Sequence, residues 1–230
     1  MAANDVTDEN LWLEDIHGSD AIAWAEEQSA RTIARFESSE FDSLAARLLD
    51  VIDSDERVPL VSKRGPHYYN FWRDRQHPRG LWRRTTLESY RSAAIEWEVL
   101  LDVDALGRAE GTEWVFAGAK LLPHDYSRAL VSLSPDGGDA VTVREFSLDT
   151  LEFVANGFVV PTAKSVFSWI DRNTIYLGTD FGPGSMTDSS YPRTVRRWRR
   201  GDSLEEAVLV HEVTAGDLEV VGIHQHTPGF

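Results

Sequence analysis

Serine, histidine and arginine are the residues of this chain placed where they could do chemistry. A serine hydrolase needs its nucleophile lifted on a sharp Gly-x-Ser-x-Gly turn, with a histidine base and an acid to orient it. The nearest approach is Phe181-Gly182-Pro183-Gly184-Ser185-Met186. It lacks the glycine two places after serine, and Pro183 suits a loop better than a strand-to-helix elbow, so a structural loop is expected there. His224-Gln225-His226 offers two imidazoles at i and i+2, which a strand would point to one side. With no third ligand near in sequence, a surface strand or a frayed terminus is the simpler reading.

Arg193-Thr194-Val195-Arg196-Arg197-Trp198-Arg199-Arg200 is a basic run with an aromatic inside it, the composition of a nucleic-acid patch. As a strand it sets Arg197 and Arg199 on one face and Arg196, Trp198 and Arg200 on the other. The chain carries 23 basic and 38 acidic residues, a formal charge of −15. That balance repels nucleic acid and predicts that these arginines pair with carboxylates of the chain itself. Asp53-Ser54-Asp55 and Asp102-Val103-Asp104 lack the spaced oxygens and the glycine of a calcium loop and read as turns. No catalytic, cofactor-binding or metal-binding residue is therefore assigned. Cysteine is absent, which excludes disulfides and thiolate chemistry and fits a reducing, cytoplasmic setting.

The elements that carry these residues fall into two textures. Ile22, Ala25, Ser29, Ile33 and Phe36 share one helical face, and Phe41, Leu44, Ala45, Leu48 and Leu49 another. Two helices are expected, the first capped by Ser19 or Asp20 and ended at Ser38, Ser39 and Glu40. From about Val58 the pattern changes to short aromatic and β-branched runs between turn residues, as antiparallel strands show. A boundary near residue 55 gives a helical segment over 1–55 and a mainly β region over 56–230. Within it, Tyr68–Arg73 and Leu81–Thr85 flank a tight turn at His77-Pro78-Arg79-Gly80. Leu130–Leu133 and Val141–Phe146 flank Ser134-Pro135-Asp136-Gly137-Gly138, and Thr174–Gly178 and Thr194–Trp198 bracket a longer loop.

Similar runs begin at Trp97, Glu152 and Glu206, 55 and 54 residues apart, each after a hairpin. That period fits blades of about four strands, the unit a β-propeller repeats around its axis. About three blades are expected, the last incomplete. Propellers close with roughly four to eight blades, which predicts a larger parent chain. The first thirty residues are acidic and lack the apolar core of a secretory signal, and no apolar run is long enough to span a membrane.

Trp12-Leu13-Glu14-Asp15, Tyr68-Tyr69-Asn70-Phe71-Trp72-Arg73-Asp74, His77-Pro78-Arg79-Gly80-Leu81-Trp82-Arg83-Arg84-Thr85 and Thr179–Thr187 occur in an order that resembles the bacterial prolyl oligopeptidases. The resemblance runs over essentially the whole chain. It implies the helices and first blades of a seven-bladed propeller that caps an α/β-hydrolase domain cutting short peptides after proline. The catalytic serine, aspartate and histidine of that family lie in the hydrolase domain, and none maps onto this chain. The partners implied are that domain and short peptides, with no membrane and no nucleic acid. The chain alone is then expected to be inactive and to act by steric selection, and its helices, which in the family pack on the hydrolase, are expected to expose apolar surface. A freestanding propeller-like module that binds peptides or proteins, and a degenerate, inactive family member, are the competing readings.

Overall fold

The computed structural model describes residues 8–227 apart from 16 and 55, and divides into two compact units, residues 1–54 and 55–230. Asp55 of the Asp53–Asp55 turn and part of the acidic leader thus lie outside the described residues.

The first unit holds a short 3-10 turn (Leu11–Glu14) and two helices, α1 (Ser19–Phe36) and α2 (Ser39–Ile52). The cap of α1 differs from expectation. Gly18, in extended backbone, is the N-cap, and Ser19 and Asp20 are already helical. Gly18 contributes only its carbonyl, to Ile22 N–H, so Asp20 sits in the first turn, where its charge suits the helix dipole. At α2 the Ser38 hydroxyl accepts from Phe41 N–H at 3.2 Å, the side-chain cap that serine at this position provides. Trp12 meets Trp24 edge to face at 6.3 Å. The apolar faces read from the sequence stand open: Ile33, Phe36, Leu44 and Leu48 are each at least half exposed.

The second unit is three antiparallel sheets. The first has the order β1 (Ser62–Arg64), β2 (His67–Trp72), β3 (Leu81–Thr86), β4 (Glu98–Asp102). A one-turn helix, α3 (Leu87–Tyr90), follows β3, and α4 (Val103–Glu110) follows β4. The second sheet runs β5 (Val115–Leu121), β6 (Arg128–Ser134), β7 (Val141–Ser147), β8 (Glu152–Phe153), and β9 (Val159–Ala163) also pairs with β7. The third is β10 (Val166–Asp171), β11 (Thr174–Gly178), β12 (Thr194–Arg199), β13 (Val208–Glu212).

Strand alternation explains the layering. Along β6 the residues Ala129, Val131 and Leu133 enter a core shared with Tyr69, Trp82 and Leu101 of the first sheet, while Leu130 enters a second core with Phe167, Trp169, Ile175 and Trp198 of the third. The middle sheet is therefore buried on both faces, and burial of Leu130, Val131, Leu133 and Val143 is complete. Face-to-face packing of small antiparallel sheets in chain order is the arrangement of propeller blades. The runs at Trp97, Glu152 and Glu206 lead into β4, β8 and β13, the fourth strand of each sheet.

Two turn readings are corrected. Trp72 pairs with Leu81, so the first hairpin is closed by the eight residues 73–80 rather than by a tight turn. Asp74 shapes that loop, accepting from Gln76 N–H at 2.9 Å and His77 N–H at 2.8 Å. Gly80 ends it at φ +101°, a conformation that glycine adopts without a Cβ clash. Asp102-Val103-Asp104 is the start of α4 and not a turn. The Asp102 carboxylate caps it by accepting from Ala105 N–H at 2.8 Å, and Asp104 accepts from the N–H groups of Arg79 and Gly80.

Candidate functional site

The glycine-serine loop between β11 and β12 holds its serine inward. Ser185 is 4% exposed. Its hydroxyl donates to Gly182 O at 2.6 Å, accepts from Phe181 N–H at 2.8 Å and lies 3.2 Å from Asp180 Oδ1. Gly182 and Gly184 take positive φ, which wraps the backbone around that hydroxyl. An attacking serine needs an accessible oxygen and an imidazole in reach; this one has its bonding capacity filled by the loop.

His224 and His226 lie on no strand. They belong to the irregular segment after β13, which crosses the third sheet. Ser168 Oγ donates to Gly222 O at 2.8 Å, and His226 Nε2 donates to Trp169 O at 2.9 Å. The two rings meet edge to face at 4.7 Å, and His124, remote in sequence, donates from Nε2 to His226 O at 3.1 Å. The segment is thus held down rather than frayed. Among the described residues no group of three histidine, aspartate or glutamate side chains could hold a metal ion.

Two members of the basic run find carboxylates. Arg193 pairs with Glu212, and Arg200 reaches across to Glu145 with Nη1 at 2.7 Å and Nη2 at 2.8 Å. Arg196 stacks over the Phe181 ring at 4.2 Å, while Arg197 and Arg199 remain exposed. Glu145 escaped the sequence reading, because a lone glutamate in a strand has no pattern to mark it. Its side chain is wholly buried, also accepts from Phe158 N–H at 3.0 Å, and has Arg128 at 3.6 Å. It ties β6 and β7 of the middle sheet to the turn after β12.

The first strands of adjacent blades converge. Lys120 Nζ of β5 donates to Phe167 O of β10 at 2.9 Å, and Trp169 Nε1 donates back to Lys120 O at 2.8 Å. In the first sheet, the first strand β1 exposes Ser62, Lys63 and Arg64.

The face of the first sheet turned away from the second carries a concentration of aromatic and cationic side chains. The Arg83 guanidinium lies over Trp72 at 4.6 Å and Trp97 at 4.2 Å, and Arg57 lies over Trp72 at 4.4 Å. Arg83 Nε donates to Asn70 Oδ1 at 2.8 Å, and Asn70 Nδ2 donates to Leu60 O at 2.8 Å. Burial pulls the Arg83 guanidinium down to about 10, against a smaller opposing pull from Asp74. Asp74 itself is held below the usual carboxylate range. Burial alone would raise it, but the N–H groups of His77 and Gln76 and the His77 ring outweigh that cost.

Three antiparallel sheets stacked face to face, with helices ahead of them and no assembled nucleophile or metal cluster among the described residues, define the chain as propeller blades with a helical leader. A family model described as the N-terminal β-propeller domain of prolyl oligopeptidase matches residues 1–228. The chain belongs to the prolyl oligopeptidase family and represents its amino-terminal portion. It is 40% identical over 211 residues to an uncharacterized peptidase of Sinorhizobium fredii, covering 91% of this chain and 29% of that protein. A post-proline cleaving enzyme from Rickettsia typhi superposes with a TM-score of 0.78 at 29% identity, over 88% of this chain and 30% of that one. Oligopeptidase B from Leishmania major shares the fold at a TM-score of 0.58 and 16% identity, over 90% of this chain and 28% of that one. The chain thus spans about 30% of the length of the relatives it matches. Among the described residues no helix is long and apolar enough to cross a membrane.

Proposed function

We propose that this chain is the gating part of a serine-type prolyl oligopeptidase. In this reading, residues 1–55 form a helical segment that docks on an α/β-hydrolase domain lying outside the chain. Residues 56–230 form about three blades of the propeller wall over its active site. The wall admits short peptides and keeps folded proteins from the nucleophile, in the cytoplasm. The observation that carries this reading is the family match over 1–228 in a chain that spans about 30% of relatives, one of them a post-proline cleaving enzyme.

The physics of a gate requires a stiff wall. The doubly buried middle sheet, the Glu145 ion pairs between blades and the Lys120–Trp169 bonds between first strands supply that stiffness. Size selection is tested with substrates of graded length. The carboxy-terminal part of the Sinorhizobium fredii relative, with its amino-terminal part or expressed without it, is offered a proline-containing octapeptide and a folded protein that bears proline in an exposed loop. The gating reading expects the protein to be cleaved only when the propeller is missing; equal cleavage of both substrates by both forms overturns it.

A further inference from the structure

Arg83 differs from several arginines of the blades in what it meets. Arg84, Arg144, Arg172, Arg193 and Arg200 each contact a carboxylate. Arg83 is 9% exposed and, among the described residues, makes no ion pair with a carboxylate. Its Nε is used by Asn70, and both flat faces are covered by Trp72 and Trp97. Among the described residues Nη1 and Nη2 meet no acceptor, and neither is fully shut off from solvent. Burial lowers its pKa to about 10 and Asp74 opposes that only from beyond ion-pair distance, so a carboxylate placed directly on the free edge would stabilise the charged form.

The surroundings fix that guanidinium in place. Asn70 is locked by Leu60 O, and Trp72 Nε1 donates to Asp74 at 3.0 Å. Trp97 is positioned by its neighbour Glu96, whose carbonyl accepts from Thr85 Oγ1 at 2.7 Å and whose N–H donates to Ser89 Oγ at 2.8 Å. With both faces blocked, a ligand can approach only in the plane of the guanidinium, along the edge that presents parallel N–H groups. A carboxylate matches that edge in spacing and charge. Being planar, it also lies between the same two indole walls, where a tetrahedral phosphate is hindered.

We propose that Arg83 is a carboxylate-docking point on the outer face of the first sheet, occupied by an aspartate or glutamate side chain from another part of a longer peptidase. A propeller closes only when a later blade meets the first, and the relatives of this chain are about three times its length. That choice of occupant rests on the peptidase reading; the carboxylate site itself does not.

Trp72 and Trp97 are built-in reporters. The chain is titrated with N-acetyl-aspartate N-methylamide, with its asparagine counterpart and with inorganic phosphate, following tryptophan emission. The expected result is a saturable change with the aspartate probe, absent with the asparagine probe, weaker with phosphate, and at least tenfold weaker in Arg83→Met. The variant loses the Asn70 bond and both indole stacks, so circular dichroism first confirms that it is folded under the titration conditions. No carboxylate-dependent change in the folded chain, an equal change in Arg83→Met, or tighter binding of phosphate overturns the site. None of these outcomes bears on whether the chain belongs over a hydrolase, so the two readings fail separately.

Discussion

Glu145 is a single carboxylate with no solvent contact that satisfies two guanidinium nitrogens of Arg200 and a backbone N–H, with Arg128 beside it. Removing one partner of a buried pair costs far more than the pair is worth, because the other charge is stranded. Glu145→Gln is therefore expected to destabilise the chain by about 3 kcal/mol in urea unfolding. Asp74 gives a pH-dependent counterpart. Its folded-state pKa lies below its unfolded value, so its contribution is present above the ordinary aspartate range and is lost as pH falls through the depressed folded value. Asp74→Asn should cost about 1 kcal/mol at neutral pH, and the difference from the parent should shrink on acidification. A gap between the two stability profiles that stayed constant down to strong acid would rule this out. Neither residue was legible in the sequence, since buried partners 55 positions apart, as Glu145 and Arg200 are, leave no local spacing to read. Ser185 and the arginine run were visible by composition, but only the fold shows that the hydroxyl is engaged by its own loop and that Arg200 turns inward.

At the level of elements, period and turn chemistry carried the reading where burial is regular. The hairpins at β2–β3, β6–β7 and β11–β12 follow from β-branched and aromatic runs broken by proline and glycine. The short strand β1, the one-turn helix α3 and the helix α4 were not anticipated, because three or eight residues leave too few periods for a face to emerge. The eight-residue loop reads as a tight turn in the sequence because His-Pro-Arg-Gly has turn composition, while Asp74, which organises it, sits earlier in the chain. Gly80 closes that loop. A Cβ there would lie 2.5 Å from the Phe71 ring, at a φ that side chains rarely adopt. Gly80→Ala is expected to cost about 2 kcal/mol and to lower the thermal midpoint; an unchanged midpoint would mean that the loop relaxes freely. Ser38→Ala should remove the cap of α2 and lower helicity at a cost of about 1 kcal/mol, read by circular dichroism.

For the whole molecule, the central fact is what the helices leave uncovered. Ile33, Phe36, Leu44 and Leu48 are each at least half exposed, and contiguous apolar patches on a free protein promote association. Light scattering should show concentration-dependent self-association that Phe36→Glu with Leu48→Glu suppresses. A strictly monomeric parent chain would remove the case that this face awaits a cover. The blades themselves have complete cores between sheets one and two and between two and three, so the chain is expected to fold without the remaining 70% or so of its relatives' length. What it is expected to lack is turnover.

The most direct measurement is an assay with a fluorogenic peptide bearing proline before the reporter group. This chain is tested alone and mixed with the separately expressed carboxy-terminal part of the Sinorhizobium fredii relative. The account predicts silence from the chain alone and cleavage on mixing. Cleavage by the 230-residue chain alone, in preparations free of contaminating peptidase, would mean that it carries a nucleophile of its own and would contradict the gating role; silence in both would favour a freestanding binding module.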